Sequence, residues 1–400
     1  MSNLIMGTGS NMSTLIEHFE PAFDSALIDS TRDRLANTRF PEAETVEDWQ
    51  QGLPLHYCQE LVRYWLDDYD WQRVPRRLSA FDNLMTDIDG LPIHFLHIRS
   101  PHSDAQPLLM THGWPGSILE FIDIIGPLTN PTEHGGNASD AFHLIVPSLP
   151  GYGFSGKPGA TGIGVGAIAK MWDKLMMRLG YERYVAQGGD WGSLVTHAIL
   201  LEEQTHCVAG HINLPLVAPD EQTLTSKDPA EQAVLAAGMR YQEHESGYSK
   251  QQATRPQTLA YGLADSPVGQ MAWIIEKYAQ WTDCVRDGMR HPENAIERDV
   301  LLDIVTHYWM TNSGGSSARL YWESFNQTDS RPVTLPLGIS LFPKELFVCS
   351  ERLAKTRYQN LVMFNNTHAN GGHFASLEQP EAFLSDIRQW RTILRQQELL

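Results

Sequence analysis

The stretch "YVAQGGDWGSLVTHAI", residues 184–199, runs from an apolar segment through a tight glycine turn into a helix-like segment. A strand, a sharp turn flanked by small residues and a helix together make an elbow that exposes its apex side chain for chemistry. Where a hydroxyl is usual, the apex of Gly188-Gly189-Asp190-Trp191-Gly192 is Asp190. The competing reading is an aspartate that caps a helix after a glycine turn, a common use of this residue.

Working outward, short apolar runs alternate with helical ones. "HFLHIR", "PLLMTH", "FHLIVPSL", "RYVAQ" and "HCVAGHINL" read as strands, with "SILEFIDIIGPL", "AIAKMWDKLMMRLG" and "SLVTHAILLEE" as helices between them. Such interleaving predicts right-handed β-α-β units and an α/β fold with a mostly parallel central sheet. Residues 1–11 are rich in Gly, Ser and Asn and read as a disordered tail. Residues 12–90 read as a helical N-terminal extension without strand alternation, and 91–215 as the first part of the core. Residues 216–331, rich in Gln, Tyr and Trp, interrupt the alternation as a helical cap. Strands at "LGISLFP" and "NLVMF" and a helical tail then complete the core over 332–400.

The formal charge of −18 disfavours nucleic acid and anionic membrane surfaces, since both require clustered Lys and Arg. The first positive side chain is Arg32, so no signal peptide is expected, and no apolar run reaches the ~18 residues of a membrane helix. Cys58, Cys207, Cys284 and Cys349 are widely spaced and read as reduced core thiols, which makes the cytoplasm the expected compartment. "GIGVGA", residues 162–167, echoes a dinucleotide fingerprint but lacks a preceding strand and reads as the lead into a helix. No metal-ligand motif is present, and neither metal nor cofactor is expected.

Two further stretches give the elbow partners. "MTHGWPGS", residues 110–117, follows an apolar strand, and its turn places a backbone N–H opposite the elbow. The amides of Trp114 and Trp191 would then form an oxyanion hole. "NGGHFASLEQPEAF" carries His373 just before a helix, with His368, read as an exposed loop histidine, as its rival. Glu345 in "SLFPKELF" lies 28 positions before His373 and is the candidate acid, ahead of Glu351 and Asp220. The chain order nucleophile, acid, histidine is that of α/β-hydrolases.

A carboxylate, with an ordinary pKa near ~4, is ionised without help and attacks saturated carbon to leave an alkyl-enzyme ester. A neutral His373 held by Glu345 would draw a proton from water, and the hydroxide would release that ester. Two reactions fit, the opening of an epoxide and the displacement of halide from a haloalkane. A halide leaves as a stable anion and needs only N–H donors. An epoxide leaves as an alkoxide and needs an acid, for which tyrosine is suited. The cap offers Tyr248 in "HESGYSKQQ" and Tyr321 in "SSARLYWES"; taken singly, such a tyrosine is more often packing, and a pair over the elbow would decide for epoxides.

Together "HGWPGS", "GGDWGS", "HESGY", "ADSPVG", "FPKE" and "GGHFASLEQPE" closely resemble epoxide hydrolases of the microsomal and juvenile-hormone type, over about residues 14–393. The resemblance implies an α/β-hydrolase fold with Asp190 as nucleophile, His373 as base and Glu345 as its acid. It also implies Tyr248 and Tyr321 as ring-opening acids, Trp114 as an oxyanion donor and a cis bond to Pro115. The expected partners are a small apolar epoxide and water, with a homodimer as a further expectation. The membrane anchor of eukaryotic microsomal relatives is not recognised, so a form without it is expected. A catalytically silent ligand receptor is the rival from another class, and the intact set of reactive residues argues against it.

Overall fold

The structure is a computed structural model that describes residues 15–202, 204–325 and 329–400, so the tail expected over 1–11 lies outside the described residues. Strand β1 (Ile16–His18) leads into helices α1 (Ser25–Ala36), α2 (Leu55–Asp67) and α3 (Arg73–Leu78), then strands β2 (Asn83–Ile88) and β3 (Leu91–Ile98). Next come β4 (Gln106–Thr111), α4 (Ile122–Thr129), β5 (Phe142–Pro147), α5 (Val165–Arg178), β6 (Tyr184–Gly188), α6 (Trp191–Leu201) and β7 (Cys207–Ile212). Gly164 caps α5, so "GIGVGA" does lead into a helix.

The strands form one nine-stranded sheet that also includes β10 (Leu337–Ser340) and β11 (Leu361–Asn365), in the order β1-β2-β3-β5-β4-β6-β7-β10-β11. Pairing is parallel from β5 through β11 and antiparallel where β1, β2, β3 and β5 meet. Its central strands are buried on both faces, which explains their continuous apolar runs.

The N-terminal extension departs from the all-helical expectation. Leu84, Thr86 and Ile88 alternate along β2, which pairs with β3 on one side and carries three-residue β1 on the other. A strand this short leaves almost no periodic signal in sequence. The helices of the extension fasten to the segment inserted after β7. The Trp65 indole donates to Thr306 Oγ1 at 2.9 Å, the Tyr69 hydroxyl to Asp303 at 2.8 Å, and the Trp309 indole to Thr31 Oγ1 at 2.8 Å. Buried Asp303 also accepts from Arg73 and Arg77.

That inserted segment contains α7 (Glu221–Thr225), α8 (Pro229–Arg240), α9 (Gly247–Thr254), α10 (Pro256–Asp265) and α11 (Pro267–Trp281). A two-residue hairpin, β8 (Val285–Arg286) with β9 (Met289–Arg290), precedes α12 (Arg298–Met310) and α13 (Gly314–Ser324). After β10 the chain forms α14 (Glu351–Arg357), then β11, α15 (Ala375–Glu378) and the long α16 (Pro380–Gln396). The four cysteines are buried and free. Among the described residues no helix is long and apolar enough to cross a membrane.

Candidate active site

Parallel strands β4 and β6 are neighbours and end together, with Thr111 opposite Gly188, so the turns that follow them meet at the carboxyl edge of the sheet. Asp190 occupies the turn after β6 with φ 49° and ψ −125°, a left-handed backbone that a non-glycine residue adopts at a cost of about 1–3 kcal/mol. The turn is so tight that a side chain at Gly192 would overlap the Thr111 carbonyl, and one at Gly113 would overlap the Asp190 carboxylate. These close approaches are why both positions are glycine.

The helix-capping reading of Asp190 fails on geometry. Its side chain makes no cap bond to α6; instead Oδ1 accepts the Trp114 amide at 2.8 Å, across from the other turn. The Trp114–Pro115 peptide is cis, as the resemblance implied. Trp191 opens α6, so its amide belongs to the positive end of that helix beside the carboxylate.

His373 follows β11 and is buried beside Asp190. Its Nδ1 lies 2.6 Å from Glu345 Oε1, and its Nε2 lies 3.3 Å from Asp190 Oδ2, close but out of line for a hydrogen bond. The Lys344 amide donates to the Gly371 carbonyl at 3.0 Å and the His373 amide to the Trp281 carbonyl at 2.9 Å, fixing the loops that carry Glu345 and His373. The Leu346 amide donates to the same Glu345 oxygen at 2.7 Å.

Burial disfavours the imidazolium, yet the Glu345 carboxylate and the Asp190 contact outweigh it and hold the His373 pKa well above its ordinary value. The resting site therefore favours the charged histidine. Two carboxylates in a buried site outweigh desolvation.

The rival residues are placed elsewhere. His368 is not an exposed loop residue: it pairs with buried Asp386 at 2.7 Å and stacks on Phe342 at 4.2 Å. Burial against that ring and a carboxylate are long-range features the loop sequence does not reveal. Glu351 pairs with Lys355 on the surface of α14, and Asp220 caps α7 and binds Arg352.

Tyr248 and Tyr321 both converge here. Tyr248 stacks on Trp114 at 5.0 Å between ring centroids, Tyr321 meets Trp191 edge-on at 4.7 Å, and the two phenols are 5.7 Å apart. Burial first, then a neighbouring phenol (Tyr241 for Tyr248, Tyr248 for Tyr321) and the Asp190 charge, raise both hydroxyls well above the ordinary tyrosine pKa, so both hold their protons at neutral pH. Tyr248 is the second residue of α9, one turn beyond a π-helical segment, Tyr241–Glu245, a feature frequent at functional sites.

The sequence reading passed over several neighbours. Trp281 meets His373 edge-on at 5.2 Å and Tyr248 at 5.0 Å, and the Tyr241 hydroxyl reaches Ser249 at 2.7 Å and bonds to Tyr248. Glu120, the last residue of Ser117-x-x-Glu120, was legible only as a capping-box acid. Burial, moderated by His373 and reinforced by Asp190, pushes its carboxyl up to about 8. Glu378 accepts the amides of Asp283 and Phe374 at 2.7 and 2.9 Å, yet burial raises it to about 7. Among the described residues no group of three or more His, Cys, Asp or Glu is placed to hold a metal ion. Two open clefts of about 510 and 900 Å³ lie elsewhere on the molecule and are lined by neither Asp190, His373 nor Glu345.

Residues 16–121 match the epoxide hydrolase N terminus family, and residues 106–380 match the alpha/beta hydrolase fold family. The chain belongs to the epoxide hydrolases of the α/β-hydrolase fold. It is 50% identical over 366 residues to a Stigmatella aurantiaca protein provisionally named an epoxide hydrolase, covering 91% of this chain and 82% of that one. Identity to epoxide hydrolase 1 of Sus scrofa is 35%, over 86% of this chain and 82% of the relative. The crystal structure of juvenile hormone epoxide hydrolase from Bombyx mori superposes with a TM-score of 0.89 at 30% identity, covering 97% of this chain and 96% of that chain.

Proposed function

We propose that this enzyme adds water to a small apolar epoxide to give a vicinal diol, through a covalent ester on Asp190. The observation that carries the reading is the pair of protonated phenols, Tyr248 and Tyr321, packed over the residues that bracket the Asp190 carboxylate. A halide would have no use for two buried acids.

In the first step an Asp190 oxygen bonds to a ring carbon, the C–O bond breaks, and its electron pair takes a proton from a tyrosine. Esterification removes the charge that holds the proton on His373. That proton then moves to the phenolate, which leaves a neutral imidazole, still oriented by Glu345. His373 next draws a proton from water, and the hydroxide attacks the ester carbonyl of Asp190. The amides of Trp114 and Trp191 stabilise the oxyanion, each worth about 3 kcal/mol by precedent. Collapse returns the carboxylate, the second proton of water goes to the diol, and His373 is again charged. The protons balance with no outside donor.

The inserted helices serve in this reading as a cap that excludes bulk water, and the free thiols fit the cytoplasm as the working compartment. Among the described residues the buried Trp191 and Trp281 indole N–H groups have no acceptor, a feature that haloalkane displacement would also use. Styrene oxide and a bromoalkane, assayed side by side, test the reading. Diol without halide release is expected; halide release without diol formation would overturn it.

A further inference from the structure

Lys277 on α11 is a buried cation that the reaction above does not employ. Lysine stems commonly lie along a protein surface with the ammonium in water. Here the side chain is only 8% exposed, and its one ion-pair partner among the described residues is the adjacent Glu276, which is 22% exposed. The negative end of the pair thus faces outward and the positive end inward. The Lys277 Nζ lies over two rings of the site, 4.8 Å from the Tyr248 centroid and 5.7 Å from that of Trp281. Trp114 stacks on the Tyr248 ring at an interplanar angle of 9°, and the ammonium lies over the same ring. The phenol is held by an indole and a cation together.

We propose that Lys277 is a positioning residue that sustains Tyr248 as a ring-opening acid: it fixes the ring and stabilises the phenolate that proton donation leaves behind. The inference rests on the assignment of Tyr248 made above. When the carbon–oxygen bond breaks and the ring oxygen takes the Tyr248 proton, negative charge spreads from the phenol oxygen into the ring. An ammonium over the ring face attracts the neutral ring modestly and the anion strongly. An opposite charge within ~4–6 Å shifts an acid by about one unit or more, which corresponds to roughly ten-fold in proton donation. Tyr321 lacks such a cation among the contacts described, so the two phenols are not equivalent: Tyr248 is the stronger acid.

The experiment is a mutant cycle read in single turnovers, with enzyme in excess over styrene oxide and alkylation resolved from ester hydrolysis. Lys277→Met keeps the apolar stem and removes the charge. It should slow alkylation less than about ten-fold in the native enzyme, where Tyr321 also donates, and about ten-fold in Tyr321→Phe, where Tyr248 is the remaining tyrosine acid. In Tyr248→Phe it should have no further effect. Lys277→Arg should restore most of the rate, and ester hydrolysis should be unchanged throughout. A loss from Lys277→Met that is equal with and without the Tyr248 hydroxyl would overturn the proposal and reduce Lys277 to packing. If Tyr248→Phe alone leaves alkylation unchanged, the assignment of Tyr248 falls, and this role of Lys277 falls with it. Should the Met variant fail to fold, Lys277→Gln in the same cycle gives the same discrimination.

Discussion

Replacing Glu345 with Gln removes one charge from the centre of the site while keeping its shape. The Glu345 oxygen that faces His373 Nδ1 at 2.6 Å also accepts the Leu346 amide at 2.7 Å. Two donors therefore converge on one atom, so the variant keeps its amide oxygen there and the histidine keeps its tautomer. What disappears is attraction between carboxylate and imidazolium, about 4 kcal/mol for charges ~4 Å apart at an effective dielectric near 20. That attraction is needed when His373 takes the proton of water, and its loss corresponds to about three powers of ten in ester hydrolysis. Alkylation relies on Asp190, already charged, and should change by less than about ten-fold. Trp114, Trp191 and Trp281 surround the site, so stopped-flow tryptophan fluorescence can follow both phases, with intact-protein mass spectrometry to detect the accumulated ester. Equal slowing of both phases, or turnover without an accumulating adduct, would refute the division of labour.

Tyr248→Phe with Tyr321→Phe should abolish ring opening while the ultraviolet and near-ultraviolet signatures of folding persist; a fully active double variant would exclude both as acids. Gly113→Ala drives a methyl group into the Asp190 carboxylate, so diol formation should fall at least a hundred-fold at a stability cost of roughly 1–3 kcal/mol, checked by assay and urea denaturation. Glu120, raised from 4.5 to about 8 by burial first, contributes stability that is complete below about 4.5 and lost as pH rises through 8. Glu120→Gln cannot ionise and should gain about 2 kcal/mol relative to the native enzyme at pH 9 but little at pH 5. That is less than the full ~1.4 kcal/mol per unit, because the carboxyl keeps some solvent contact. Parallel pH–stability curves for the two proteins would contradict this placement of Glu120.

The core of the fold was legible because strands buried on both faces produce continuous apolar runs, and because glycines mark the sharp turn at Asp190. Asp190, Glu345 and His373 could be grouped from sequence because each lies in the turn or loop that follows a strand, at the sheet's carboxyl edge. β1 and β2 were missed: a three-residue edge strand has no periodicity, and β2 follows a long helical stretch. The charged state of His373 depends on two carboxylates brought together from turns far apart in the chain. Trp281, Tyr241 and Lys277 were not legible as site residues for a related reason. Their spacing within the helices is compatible with ordinary packing, and only the placement of α9, α11 and α13 over the elbow brings them to it. His368 shows the same limit from the other side, since Asp386 and Phe342 bury it from a distance in sequence.

The central claim is that Asp190 itself supplies the oxygen first bonded to carbon. Single turnover with enzyme in excess, in water enriched in oxygen-18, measures this directly. The diol should carry only oxygen-16 from the first turnover, with oxygen-18 recovered in the Asp190 peptide. Oxygen-18 in that first diol, with none in the peptide, would contradict the claim.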